Sequence, residues 1–152
     1  MPAPPPWPLD ALLAGLVDRW LRPPPAPAPA ITEITLDVEE VRPGVLFIAR
    51  TAWWSDTHAQ LAQAAARGAA ALLVSRPDAV PPGLTLPVAF TAREDPCLGH
   101  LAARFYRHPT RRLEVVGVTG TNGKTSTTWI VERLWAALGR RPARMGTLGY
   151  TA

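Results

Sequence analysis

The chain has 152 residues, 47% of them apolar and 18% charged, enough for one core or for a small domain and part of a second. Sixteen basic and twelve acidic residues give a net charge of +4, and Lys124 is the single lysine. The arginines at 104, 107, 111 and 112 and at 140, 141 and 144 form no known nucleic-acid-binding motif, so they read as a solvated face, with neither a nucleic-acid nor a membrane partner expected.

The opening stretch "MPAPPPWP", 1–8, reads as an extended Pro-rich tail, without the basic segment and long apolar run of a secretory signal. Leu9, Leu12, Leu13, Leu16, Val17 and Trp20 fall at helical spacing and predict a helix over 9–21. "RPPPAPAP", 22–29, cannot continue it and reads as a stiff linker. Strands are expected at 31–36, 45–49, 69–74 and 87–90, with "VRPG", 41–44, as a turn. A helix over 55–68 stops at Gly68, and a second over 93–108 is expected to have Asp95 as its cap and Pro96 at its first position. Cys97, on that second helix, is the only cysteine, which excludes an internal disulfide and a cysteine-based metal site and fits a cytoplasmic, reducing setting. No apolar run reaches the roughly 18 residues that span a bilayer.

The pattern then restarts. "LEVVGV", 113–118, predicts a strand; "GTNG", 120–123, a loop; 124–138 a helix with Ile130, Leu134, Ala137 and Leu138 on one face; and 144–150 another strand. The expected fold class is α/β, divided into a tail, helix and linker (1–30), a first domain (31–112) and the start of a second (113–152).

A strand, a Gly-rich loop and a helix opening on Lys-Thr make a phosphate site. Unpaired N–H groups at the helix start face an anion, and the loop amides form a concave nest. The lysine can reach the outer phosphates, and the threonine hydroxyl can ligate magnesium. "GTNGKT" is a shorter variant of G-x-x-x-x-G-K-[ST], since Val118 stands where the first glycine belongs.

"GVTGTNGKTSTTW", 117–129, resembles the ATP loop of the Mur ligases, which add amino acids one at a time to the peptidoglycan precursor. "GTLGY", 146–150, resembles the next strand in the branch that adds the third residue. Upstream, "ITLDVEEVRPGVLFIA", 34–49, and "SDTHAQLAQAAARGAAALLV", 55–74, resemble sugar-nucleotide segments of the same family, and "LAARFYRHPTRRLEVVGVTGTNGKT", 101–125, its hinge into the ATP domain. The resemblance implies an N-terminal UDP-sugar-binding domain, followed by the first strand–loop–helix–strand of a parallel-sheet ATPase domain.

By position, Gly120, Thr121, Asn122, Gly123, Lys124, Thr125 and Ser126 are implied to cradle ATP, with Lys124 as the catalytic cation and Thr125 on Mg2+. Leu36, Val38, Trp53, Trp54 and Ser55 occupy the UDP-sugar places. Val38 and Glu39 stand where the family usually has Ser and Arg, Thr57 where Gly is usual, and Ala52 where Gly is common. His58 matches a family position beside Asp56, whereas His100 and His108 read as structural or solvated.

The implied partners are UDP-N-acetylmuramoyl-L-alanyl-D-glutamate and a diamino acid, meso-diaminopimelate or lysine. They are joined through an acyl phosphate at the expense of ATP. The chain is expected to be the N-terminal part of a longer ligase and inactive alone. A non-catalytic sugar-nucleotide module and another phosphate-loop NTPase remain open alternatives.

Overall fold

A computed structural model describes residues 6–52 and 55–151, which form two compact units, Met1–Arg111 and Arg112–Ala152. In the first unit the chain order is β1 (Trp7–Pro8), α1 (Leu9–Leu13), β2 (Arg19–Arg22), β3 (Ala30–Ile31), β4 (Glu33–Thr35), β5 (Val45–Ile48), β6 (Thr51–Ala52), β7 (Ser55–Asp56), α2 (Leu61–Ala66), β8 (Ala71–Val74), β9 (Val88–Phe90) and α3 (Glu94–Phe105). Strands β4, β5, β8 and β9 run parallel, and β2 joins the far edge antiparallel, giving the order β2-β9-β8-β5-β4.

Both faces of this sheet are covered, which is why its central strands are apolar without alternation. Leu46, Ile48, Ala71 and Leu73 meet α1 and α3 through Leu9, Leu12, Leu13, Leu101 and Phe105. Val45, Phe47, Leu72 and Val74 meet α2 and the turn before β5 through Leu61, Ala64, Val38 and Val41.

Three expectations change at this level. The helix over 9–21 closes after Leu13, with Gly15 at φ +69°. Its second half becomes β2, where Trp20 pairs with Ala89. Local helical spacing gives way to an open strand edge that needs hydrogen-bond partners. The described residues of the expected tail and linker take part in the unit: Trp7 pairs with Ile31, its Nε1 donates to the Phe105 carbonyl at 3.2 Å, and the Pro29 carbonyl accepts from Leu9 N at 3.0 Å. Helix α3 starts at Glu94 without a side-chain cap, so Asp95 and Pro96 lie inside its first turn. The guanidinium of Arg104 closes α1 from α3, donating from Nη1 to the carbonyls of Leu12 and Ala14 at 2.8 Å each.

The second unit holds α4 (Lys124–Ala137) and a hairpin of β10 (Arg144–Gly146) and β11 (Gly149–Thr151). The expected strand over 113–118 is not formed: those residues pair with no other strand among the described residues, and Leu113, Val115 and Val116 are exposed. The expected strand over 144–150 is instead an antiparallel hairpin, so this unit has no parallel pair among its described residues. A strand is defined by its neighbour, and an apolar run without one stays extended and open. The face of α4 expected to be buried is likewise open, with Leu134 58% exposed. The hairpin is fastened to α4 by Glu132, which accepts from Arg144 Nε at 2.9 Å and from the Thr151 hydroxyl. Those two bonds, the hydroxyl first, hold its carboxyl below the usual value.

Candidate functional site

In the second unit the loop of residues 119–123 delivers the chain into α4. Gly123 takes φ +78° and serves as N-cap without a side-chain cap, so the first α4 amides, from Lys124 to Ser126, have no partner within the helix. A side chain at that φ is strained, which explains the glycine. The first helical bond runs from Thr127 N to Gly123 O at 2.9 Å. The Lys124 ammonium folds back over the loop, bonding the carbonyl of Gly120 and, at 3.3 Å, that of Thr121. Thr125 sits in the first turn, and its carbonyl accepts from the Thr128 hydroxyl at 2.9 Å.

The loop thus gathers Gly120, Thr121, Asn122, Gly123, Lys124, Thr125 and Ser126 at one exposed helix start. Free amides, a helix dipole and one ammonium make an anion site, and the donor set fits a polyphosphate with a hard divalent cation on Thr125. Among the described residues there is no cluster of His, Cys, Asp and Glu able to hold a metal by itself.

In the first unit, the residues after each parallel strand's carboxyl end share one edge of the sheet. After β4 come Leu36 to Glu40; after β5, Arg50 and the β6–β7 hairpin; after β8, Ser75 and Arg76; after β9, Thr91. Ligands of open α/β sheets bind outside this edge. An open groove of about 360 Å³ lies there, lined by Thr35, Leu36, Asp37, Glu40, Leu98 and Tyr106 among others.

Of the expected sugar-nucleotide residues, Leu36 faces the groove, half-exposed. Val38 points the other way: it is 5% exposed, within the cluster of Val41, Val45 and Leu61. A serine there would bury its hydroxyl, so the valine is explained by packing, and this position offers no side chain to a ligand. Glu39 is also accounted for. Its carboxylate meets Arg67 Nη1 at 3.1 Å and Gln63 Nε2 at 3.2 Å, both from the α2 region. Trp53 and Trp54 lie outside the described residues, and Ser55 opens β7.

Sequence reading noticed His58 and Asp56 but missed Arg76. The three form a connected group at the same edge. Asp56 Oδ1 lies 2.7 Å from His58 Nδ1 and accepts from His58 N at 3.0 Å, and Asp56 Oδ2 takes Arg76 Nη1 at 2.6 Å. Arg76 Nη2 reaches Asp78 at 3.0 Å. The Asp56 carboxyl is held below its usual value, first by the His58 backbone N–H and then by the imidazole and the guanidinium. Asp78 is lowered chiefly by Arg76. The available signal was "SRPD", a turn directly after an apolar strand run.

Comparison with known proteins finds Mur ligases among the relatives of this chain. No family model matches. The chain is 45% identical over 125 residues to UDP-N-acetylmuramoyl-L-alanyl-D-glutamate--2,6-diaminopimelate ligase of Pseudomonas syringae pv. tomato, covering 80% of this chain and 25% of that protein. It is 42% identical over 126 residues to UDP-N-acetylmuramyl-tripeptide synthetase of Roseiflexus sp., covering 80% and 24%. Among solved structures, MurF from Acinetobacter baumannii superposes with a TM-score of 0.64 at 25% identity, covering 90% of this chain and 29% of that one. The chain is a homologue of Mur ligases and spans about a quarter of the length of the curated relatives it matches. No helix among the described residues is long and apolar enough to cross a membrane.

Proposed function

We propose that the chain supplies the sugar-nucleotide module and the phosphate loop of an ATP-dependent ligase of cytoplasmic peptidoglycan precursor synthesis. In this reading Met1–Arg111 binds UDP-N-acetylmuramoyl-L-alanyl-D-glutamate outside the carboxyl edge of its sheet. Gly120 to Ser126 cradle the ATP phosphates on the loop and α4 amides. The Lys124 ammonium leaves the loop carbonyls for the outer phosphates, and the Thr125 hydroxyl helps to hold Mg2+, which supplies charge neutralisation. The dipeptide carboxylate attacks the terminal phosphorus, ADP leaves, and the amine of meso-diaminopimelate or lysine displaces phosphate from the acyl phosphate to form the amide. The protein's contribution is positioning and charge stabilisation.

The observation that carries this reading is the uncapped start of α4 behind Gly123, with Lys124 lying over the loop. The names of the relatives support the third-residue step. The isolated 152-residue chain is proposed to bind but not to turn over, because α4 and residues 113–118 leave their apolar side chains uncovered.

Calorimetry with Mg-ATP tests the loop, with Lys124→Met expected to weaken affinity about tenfold or more as a charge-assisted contact is lost. Equal binding by wild type and variant would refute it. Calorimetry with the UDP-dipeptide tests the module. Turnover of ATP by the isolated chain with the dipeptide and diamino acid would contradict the proposed inactivity. A second reading, a binding module without turnover, is favoured by the closed core of the first unit, and predicts dipeptide binding with no response to Mg-ATP.

A further inference from the structure

We propose that His58 is a positioning residue acting as a proton-sensitive latch. It holds Asp56, at the end of β7, against the segment leaving β8, and this part of the ligand-facing edge keeps its geometry only while the imidazole is neutral. The link to ligand affinity rests on the sugar-nucleotide reading of the first unit; the latch rests on geometry alone.

The tautomer is dictated by the partners. The His58 side chain is 1% exposed, and its Nδ1 lies 2.7 Å from Asp56 Oδ1, a carboxylate that can only accept. Its Nε2 lies 3.2 Å from the backbone nitrogens of both Ser75 and Arg76, which can only donate. The proton therefore sits on Nδ1, and Nε2 offers its lone pair to two amides, with the Ser75 hydroxyl at 3.3 Å. The Arg76 side chain closes the circuit by returning to Asp56 Oδ2.

A second proton must go to Nε2, turning an acceptor into a donor that faces two donors. The charged groups around the ring are Asp56, from its own turn, and Arg76 and Asp78, from the segment after β8. What gives way is the Ser75–Arg76 backbone, whose amides turn to water. The joined elements both lie at the carboxyl edge, so acidification loosens the edge without touching the sheet behind it.

The test uses the 15N-labelled chain of 152 residues. Histidine side-chain nitrogen spectra and amide exchange, corrected for intrinsic rates, are followed from about pH 8 to about pH 5, the range in which histidines as a class change charge. The expected result is an Nδ1–H tautomer at neutral pH. On protonation, exchange of the Ser75 and Arg76 amides should rise about tenfold or more while Leu72, in mid-strand, is unchanged. UDP affinity by calorimetry should fall over the same interval, and His58→Asn should lose both the amide protection and the pH dependence. If that variant does not fold, the wild-type titration decides. An Nε2–H tautomer, an imidazole still neutral at about pH 5, or unchanged protection after protonation would each overturn the latch. UDP affinity in His58→Asn equal to wild type would overturn its link to binding. A wild-type chain that binds no UDP at neutral pH refutes the sugar-nucleotide reading instead, and the exchange measurement still judges the latch.

Discussion

The two units of this chain treat similar sequences in opposite ways. "VLFIA" in the first and "LEVVGV" in the second are both apolar runs ahead of a loop and a helix. The first is a central strand with parallel neighbours on both sides and apolar layers on both faces. The second has no strand partner among the described residues and leaves its valines exposed. Hydrophobicity sets what a segment would bury, but burial needs a surface to meet. The glycine loop keeps its form in the second unit because its hydrogen bonds are local, within a few residues of Lys124.

The contrast can be broken most directly by trimming one large side chain in each unit. Phe47→Ala, at a fully buried position, is expected to cost about 3–5 kcal/mol in urea unfolding, whereas Leu134→Ala on α4 should stay within about 0.5 kcal/mol. Comparable losses would mean that α4 is covered in solution. A smaller effect is expected at the joint between α1 and α3. Arg104→Met orphans the Leu12 and Ala14 carbonyls and should lower stability by about 1–3 kcal/mol, with faster amide exchange concentrated in α1.

In the second unit, Gly123→Ala forces an L-residue to φ +78° and should cost roughly 1–2 kcal/mol locally. Its signature is weaker Mg-ATP binding with an unchanged unfolding midpoint for the first unit; a shift of that midpoint would show that the units are coupled. The smallest effect concerns acid. Asp56 has a lowered folded-state value, so its contribution is present above its unfolded value of about 3.9 and is lost as pH falls through the folded one. Asp56→Asn should therefore flatten the acid limb of a stability–pH curve, and an unaltered limb would remove Asp56 from the account.

The strand runs at 45–49, 69–74 and 87–90 were readable because continuous apolar stretches between turn residues have few other fates. The glycine turn and the helix start at Lys124 were readable because "GTNGKT" encodes its own geometry. Trp20 was misplaced because its helical spacing is real, yet an unpaired strand edge at β9 competed for the same backbone. Arg76 was missed because its meaning depends on Asp56, twenty residues earlier in the chain.

By itself, the sequence determined the α/β character of the first unit, the helix that begins at Lys124 and the glycine turn before it, since each depends on spacing and backbone chemistry within a short window. Only the tertiary structure decided that Val38 faces the core, that Glu39 pairs with Arg67, and that His58 lies between Asp56 and the Ser75 and Arg76 amides. Those outcomes depend on which distant groups share a few ångströms, and no local pattern of residues contains that information.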